Sequence, residues 1–275
     1  MKRIITFILV SILALSFASC TSTDGSKKIV VGASSTPHAE ILEIVKDSLK
    51  EQGYTLEIRV FDDYVTPNTA LESGELDANY FQHTPYLNTF NKENGTHLVS
   101  VAKIHYEPLA VYGKNVSVAS YAETKTGKTI IVPSDGSNCT RALFVLQDEG
   151  FITLKEDSSS SSDLSDKDIE ESNGNTILLV EAALIPAQLN NANDGTLAVI
   201  NGNYALAAGL KIENALATES AEGDAAQLYA NIIAVKEGHE DDEKILALVK
   251  ALKSQKVIDF INETYNGAVK ATFTL

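Results

Sequence analysis

Cysteine is scarce in this chain, which has two in 275 residues, Cys20 and Cys139. If Cys20 is modified, Cys139 has no partner, so a framework of disulfide bonds is excluded. Basic side chains are also few, because 22 lysines and arginines against 37 acidic residues give a formal net charge of -15. A surface this acidic repels nucleic acid and anionic lipid headgroups, so no nucleic-acid partner is expected.

Motifs for common catalytic chemistry are missing as well. The sequence has no phosphate-binding P-loop, no Gly-x-Ser-x-Gly nucleophile elbow and no cysteine–histidine signature. We therefore predict that the chain is not an enzyme and expect no metal and no cofactor. The histidines lack the close spacing that is typical of a metal site, and they are His38, His83, His97, His105 and His239.

The first twenty residues have the pattern of a secretory signal peptide. After a basic start, Ile4 to Leu15 form an apolar run of 12 residues, too short to span a bilayer, and small residues follow before Cys20. The end of this segment resembles a bacterial lipobox, in which the cysteine is lipidated and the chain is cut just before it. We expect a signal peptide over 1–19, a lipid such as palmitate on Cys20 and a flexible tether over 20–28. The alternative is an ordinary cleaved signal peptide.

Strand and helix patterns alternate along the rest of the chain. Helical spacing of apolar residues after proline or capping residues predicts intervening helices, including 243–252 and 257–264. This alternation predicts an α/β fold with mostly parallel sheets, and the length favours two sheets. The serine-rich stretch 158–162 is expected to be a surface loop, without an assigned function. Strands are predicted at 28–33, 55–61, 76–81, 98–104, 109–112, 128–132, 176–180, 197–200 and 230–235.

Four segments that follow predicted strands concentrate aromatic, histidine, asparagine and arginine side chains. They are 61–64, 81–86, 133–141 and 201–204. Because ligands in open α/β sheets bind beyond the carboxyl ends of the strands, these segments are expected to line one cleft. The aromatic residues among them could instead be core residues, and His83 could be a structural histidine.

Arg141 is the most informative charged residue. The chain has three arginines, Arg3, Arg59 and Arg141. Arg141 is expected in the first turn of a helix, where a cation opposes the helix dipole unless an anion is bound there too. Its planar guanidinium suits a carboxylate ligand. The alternative is a surface arginine paired with Asp135 or Asp148, and local chemistry does not decide between the two.

Five segments resemble, in the same order, the methionine-binding lipoproteins of ABC importers, the NlpA-type lipoprotein family. They are residues 61–68, 77–87, 138–141, 198–205 and 262–270. The resemblance extends from about 29 to 273, and its most specific part is the Phe-Gln-His-Thr-Pro-Tyr-Leu stretch at 81–87.

The resemblance implies a two-lobed type II periplasmic-binding-protein fold, with a ligand cleft between the lobes and two hinge crossings. The crossings are expected near 109–113 and 230–235. Lobe I would then consist of residues 29–111 plus 234–275, and lobe II of residues 112–233.

The resemblance also implies a function and a set of binding residues. The expected protein is a lipid-anchored, extracytoplasmic solute-binding protein that captures L-methionine or a close analogue and delivers it to the permease and ATPase subunits of an ABC importer. Alternatives are a surface adhesin or interaction lipoprotein on the same fold, or an importer subunit for a methionine-containing dipeptide or another apolar amino acid. Arg141 would bind the ligand carboxylate, Asn138, Asn201 and Asn231 the polar end, and Tyr64, Phe81, His83 and Tyr86 the side chain.

Overall fold

A computed structural model describes residues 27–220 and 224–275. The predicted signal peptide over 1–19, Cys20 and most of the predicted tether over 20–28 lie outside the described residues. Within the described ranges, no helix is both long enough and apolar enough to cross a membrane.

Strands and helices alternate along the described chain, as the sequence pattern predicts. The strands are β1 (Lys28–Ala33), β2 (Thr55–Val60), β3 (Ala78–His83), β4 (Leu98–Tyr106), β5 (Ala110–Gly113), β6 (Thr129–Pro133), β7 (Thr153–Leu154), β8 (Ile169–Glu171), β9 (Thr176–Val180), β10 (Leu197–Ile200), β11 (Ala217–Thr218), β12 (Asn231–Lys236) and β13 (Lys270–Ala271). The helices are α1 (Glu40–Glu51), α2 (Thr66–Glu72), α3 (Thr84–Asn94), α4 (Val118–Glu123), α5 (Gly136–Asp148), α6 (Ile185–Asn191), α7 (Gly202–Ala207), α8 (Asp224–Leu228), α9 (Glu243–Leu252) and α10 (Gln255–Tyr265).

Apolar periodicity explains α1. The four apolar residues that predict this helix, Ile41, Leu42, Val45 and Leu49, are each 1% exposed or less and pack in the core of the first sheet. Burial of such a side chain contributes about 1.5–3 kcal/mol. The chain then turns at Gly53, whose φ of 84° favours glycine.

Two main sheets, each with its own core, confirm the predicted two-lobed α/β architecture. The first sheet has the strand order β13-β4-β12-β3-β1-β2, and the second has the order β11-β5-β10-β6-β9. Helices α1, α9 and α10 pack against the first sheet, while α5 and α6 cover opposite faces of the second. We call the first sheet with its helices lobe I and the second lobe II.

Strand pairing differs from the expected mostly parallel sheets. β1 is parallel to β2 and β3, and β6 is parallel to β9 and β10. However, β12 runs antiparallel between β3 and β4, and β5 runs antiparallel to β10 and β11. Both β5 and β12 enter a new sheet after a crossing between lobes, whereas a helical crossover within one sheet makes neighbouring strands parallel. The sheets are therefore mixed, and the expectation of mostly parallel sheets is wrong.

The chain changes sheet twice, between β4 and β5 and again between β11 and β12. The first crossing consists of residues 107–109, and the second lies within 219–230. The expected lobe boundaries, after residues 111 and 233, fall inside β5 and β12 respectively. An apolar strand pattern locates these strands but does not indicate which sheet each one joins.

Candidate functional site

One cavity between the lobes is lined by all of the predicted binding residues. The space in and immediately in front of it, open to solvent on one side, is about 330 Å³. The predicted residues around it are Tyr64, Phe81, His83, Tyr86, Asn138, Arg141, Asn201 and Asn231. Of the four other lining residues, Gln82, Gly202 and Asn203 lie in segments predicted to line the cleft, and Glu107 lies outside those segments.

Strand ends bring these residues together. Tyr64 follows β2, His83 ends β3, and Asn201 follows β10 and precedes α7. Asn138 lies near the start of α5, after β6, and Asn231 begins β12. The carboxyl ends of β2, β3, β6 and β10 and the start of the antiparallel β12 therefore meet at the cavity, as the strand-end rule for open α/β folds predicts.

Aromatic rings from lobe I form one wall of the cavity. The ring of Tyr64 lies 5.6 Å from those of both Phe81 and Tyr86, measured between centroids. The Tyr86 hydroxyl donates to the Tyr64 carbonyl at 3.0 Å. Phe90 packs behind Phe81 and Tyr86 without lining the cavity. This wall is apolar and held in place by its own contacts.

Two tyrosines join the lobes directly. The Tyr64 hydroxyl of lobe I donates to Asn203 Oδ1 of lobe II at 2.6 Å. In the opposite direction, the Tyr204 hydroxyl on α7 donates to the Asp62 carbonyl at 3.2 Å. The rings of Tyr64 and Tyr204 also pack, with centroids 4.9 Å apart. We call these contacts the tyrosine bridge.

His83 uses both ring nitrogens within the protein. Its Nε2 lies 3.1 Å from Asn138 Oδ1, and its Nδ1 accepts from the Tyr86 backbone N–H at 3.2 Å, which caps α3. Burial, together with the charge of Arg141, lowers the pKa of His83 to about 3. His83 is therefore a neutral, hydrogen-bonded histidine whose ring lines the cavity.

Arg141 lies in the second turn of α5 rather than in the first. The helix begins at Gly136, and Asp135 is its N-cap. The Asp135 carboxylate accepts from the Asn138 backbone N–H at 3.0 Å. A carboxylate of the protein itself therefore lies at this helix end, where an anion is expected from the sequence.

The Arg141 guanidinium is buried and paired with a residue that is distant in sequence. Its Nε donates to Glu219 Oε1 at 3.1 Å, and its Nη2 donates to Glu219 Oε2 at 2.5 Å. The ring of Tyr229 lies 4.4 Å from its Cζ. Pairing is thus with Glu219, not with Asp135 or Asp148. The remaining nitrogen, Nη1, has only a 3.5 Å contact, to Asn138 Oδ1.

The asparagines differ in how many polar atoms remain for a ligand. Asn138 Oδ1 accepts from Asn201 Nδ2 at 2.8 Å, and Asn138 Nδ2 donates to Asp135 at 2.9 Å. Asn201 Oδ1, by contrast, is buried and has no hydrogen-bond partner among the described residues. Asn231 Oδ1 lies 3.0 Å from His38 Nε2. A predicted ligand role is therefore supported more directly for Asn201 than for Asn138.

Glu107 is the one carboxylate among the residues that line this cavity. It lies in the first crossing and is 5% exposed. Burial raises its pKa to about 7, although His38 and Arg141 oppose this shift. Glu107 follows a strand end in the sequence His105-Tyr106-Glu107-Pro108. A polar residue at that position could have been selected by the same strand-end rule.

The chain thus has a two-lobed solute-binding fold, with two crossings and a cavity between the lobes that has an aromatic wall and a polar end. The family description "NlpA lipoprotein" matches residues 29–273 of the chain. The chain belongs to the NlpA lipoprotein family, and the resemblance seen in the sequence is confirmed.

Relatives cover nearly the whole chain. The methionine-binding lipoprotein MetQ of Bacillus subtilis (strain 168) is 39% identical over 275 residues, which cover 98% of each chain. The solved structure of a Ruminococcus gnavus ATCC 29149 protein is 50% identical, with a TM-score of 0.83, and covers 90% of this chain and 100% of that one. A nutrient binding protein from Burkholderia cenocepacia, bound to methionine, is 37% identical with a TM-score of 0.81, covering 89% and 100%.

Proposed function

We propose that this chain captures methionine between its lobes and delivers it, chemically unchanged, to an ABC importer. The observation that carries this proposal is the cavity between the lobes, which has an aromatic wall and also donors and acceptors suited to an amino-acid zwitterion. The names of the relatives support the same ligand, since one is a methionine-binding lipoprotein and another is bound to methionine.

The ligand carboxylate would bind between Arg141 and Asn231. Arg141 Nη1 has only its long contact to Asn138, so it can donate to an anion. Asn231 uses its oxygen with His38, and its amide nitrogen has no hydrogen-bond partner in the described ranges. A guanidinium and an amide donor together form a charge-assisted site for a carboxylate.

The ligand ammonium would bind between Glu107 and Asn201. Both are acceptors that line the cavity, and Asn201 Oδ1 is buried without a partner among the described residues. A buried acceptor left unsatisfied costs about 1–3 kcal/mol, which a donated hydrogen bond from the ligand would remove. Glu107 supplies the negative charge that an ammonium group requires.

The side chain of the ligand would pack against Tyr64, Phe81 and Tyr86. A thioether suits this wall because sulfur makes favourable contacts with aromatic edges. The wall offers little hydrogen bonding beyond its own internal bonds, so polar side chains are disfavoured there.

Isothermal titration calorimetry of the purified protein would test the proposed ligand. The panel should contain L-methionine, D-methionine, methionine dipeptides, leucine and glutamine. We expect L-methionine to bind with the highest affinity or to share it with D-methionine. Tightest binding of a dipeptide would instead favour a peptide importer. If none of these ligands binds, an adhesin or interaction role would be favoured.

Phe81→Ala is expected to weaken methionine binding by roughly tenfold, because the methionine side chain loses apolar contact with the phenyl ring worth about 1–2 kcal/mol. Phe90→Ala is the matched control, since Phe90 belongs to the same cluster but does not line the cavity. It should lower the melting temperature and leave affinity nearly unchanged. Both properties would be measured by calorimetry and thermal melting. Unchanged affinity in Phe81→Ala would make Phe81 a core residue only.

We also propose that Cys20 carries the lipid that anchors the protein at the extracytoplasmic face of the cell membrane. Membership of a lipoprotein family supports this, together with the signal-peptide pattern before Cys20. Importer subunits in the same membrane would then be within reach of the tethered lobes.

Cys20→Ala is expected to move the protein from the membrane fraction to the soluble or secreted fraction, because no lipid can then be attached. Detergent partitioning followed by immunoblotting measures this. Cys139→Ala is the control, since Cys139 is buried in lobe II and should not affect partitioning. If Cys20→Ala still partitions into detergent as the wild type does, Cys20 does not carry the lipid anchor.

A further inference from the structure

A buried chain of hydrogen bonds lies behind Glu107. His105 Nε2 is 2.7 Å from Glu107 Oε1, and the Tyr80 hydroxyl contacts His105 Nδ1. His38 Nε2 lies 3.0 Å from Asn231 Oδ1 and 3.5 Å from Glu107 Oε1. Tyr80, His105 and His38 are at most 1% exposed, and none of them lines the cavity. Their polar atoms therefore act on the two cavity residues, Glu107 and Asn231.

The direction of each hydrogen bond follows from what each group can donate. A carboxylate only accepts, so His105 Nε2 must carry the proton that it shares with Glu107. His105 Nδ1 is then an acceptor, and the Tyr80 hydroxyl donates to it. Tyr80 thus selects the tautomer of His105 that donates to Glu107.

The same reasoning orients Asn231. His38 Nε2 lies near two oxygens, Asn231 Oδ1 and Glu107 Oε1, so it carries a proton and donates. Asn231 therefore presents its oxygen to His38, which leaves its amide nitrogen for the cavity. Both imidazoles are neutral, because burial lowers the pKa of His38 to about 4 and that of His105 to about 3.

Lobe II holds the other side of the Glu107 carboxylate. A Cβ atom at Gly202 would lie 2.6 Å from Glu107 Oε2, so only glycine allows α7 to approach this closely. The carboxylate is therefore confined between histidines on one side and a glycine backbone on the other.

We propose that Tyr80, His105 and His38 are positioning residues that hold Glu107 as the acceptor for the ammonium group of the ligand, and that they make the site selective for a free α-amine. The inference rests on the proposed binding of an amino acid in this cavity. These three residues act through Glu107 and Asn231 rather than by touching the ligand.

Other titratable groups around Glu107 leave this carboxylate as the group that changes charge near neutral pH. Arg141 on α5 stays a cation, paired with Glu219. The hydroxyls of Tyr64, Tyr80 and Tyr265 stay protonated, since burial raises the pKa of each.

The site is expected to bind L-methionine more weakly in acid. Burial raises the pKa of Glu107 to about 7, so below that pH the carboxyl takes up a proton and no longer offers a negative charge to the ammonium. For one protonating group, affinity falls by at most about tenfold per pH unit. A donated hydrogen bond favours the ionised form, so loss of the His105 donor should move the decline to higher pH.

The test compares His105→Leu, which removes the donor, with His105→Gln, whose amide can still donate to Glu107. Kd is measured by calorimetry at pH 6, 7 and 8.5 for L-methionine and for its 2-hydroxy analogue, which lacks the ammonium. His105→Leu should weaken L-methionine binding by about tenfold or more at pH 7, because Glu107 without its donor takes up a proton at higher pH and is no longer held in place for the ammonium. The 2-hydroxy analogue should change by less than about threefold, and His105→Gln should stay near wild type for both ligands.

Equal weakening of both ligands by His105→Leu, or an unshifted pH profile, would show a merely structural role and overturn the inference. If His105→Leu does not fold, as judged by thermal melting, Tyr80→Phe decides the question. It removes the hydroxyl that fixes the tautomer of His105. We expect it to weaken binding of L-methionine more than binding of the 2-hydroxy analogue, as His105→Leu does, but by a smaller factor. Wild-type protein that binds no L-methionine would overturn the proposed function itself, before any variant is made.

Discussion

Arg141→Ala is expected to weaken methionine binding by about 30-fold or more. Loss of one partner from a desolvated, hydrogen-bonded charge pair costs roughly 2–5 kcal/mol, and each 1.4 kcal/mol is about tenfold in affinity. Among the residues that line the cavity, Arg141 is the one lysine or arginine, so no other lining side chain can replace this cation. Calorimetric titration with L-methionine measures the change.

Three comparisons assign the loss to the ligand carboxylate. Methioninamide, which has no carboxylate, should bind wild type poorly and lose little more in Arg141→Ala. Arg59→Ala is the matched control, because Arg59 is exposed and pairs with Glu57 on β2. Arg141→Lys should recover only part of the affinity, since an ammonium lacks the planar geometry. Methionine binding by Arg141→Ala within about threefold of wild type would refute the anchor role.

Glu219→Ala is expected to lower the free energy of unfolding by about 3–5 kcal/mol, because it leaves Arg141 as a buried, uncompensated charge. Glu219 accepts from two guanidinium nitrogens and also from the Tyr106 hydroxyl at 2.7 Å and the Leu109 backbone N–H at 3.2 Å. It therefore connects α5 to the first crossing as well. Urea denaturation without ligand measures the loss.

The double variant Arg141→Met, Glu219→Met shows how much of this loss of stability comes from the broken ion pair and how much from the other contacts of Glu219. Replacing both members of a buried pair by apolar groups is often neutral in stability, so the double variant should be more stable than Glu219→Ala. A double variant as unstable as Glu219→Ala would mean that the Tyr106 and Leu109 contacts, rather than the ion pair, account for the effect.

Much of the site could be predicted from strand ends. A strand that ends at His83 places Phe81 and His83 on one face, because side chains alternate along a strand. Asn201 directly follows an apolar strand, and the strand-end rule places it at the cavity. Local periodicity was sufficient in these cases because each residue lies within a few positions of the element that orients it.

Interactions between distant segments could not be predicted in this way. Glu219 pairs with Arg141 across 78 residues, and no local pattern in the sequence indicates the partner. Glu107 directly follows the end of β4, but no local pattern indicates that His105, His38 and Gly202 surround its carboxylate. The antiparallel placement of β5 and β12 likewise depends on which sheet the chain enters after each crossing.

The tyrosine bridge has a consequence for discrimination between ligands. Its hydrogen bonds, from Tyr64 to Asn203 and from Tyr204 to Asp62, join protein to protein. They must break whenever the lobes separate, so they slow the escape of any molecule held between the lobes. Their contribution is the same for every such molecule, and specificity is a difference between affinities. The bridge therefore lengthens residence time without favouring one amino acid over another, and selection among solutes is left to the cavity wall and its polar end.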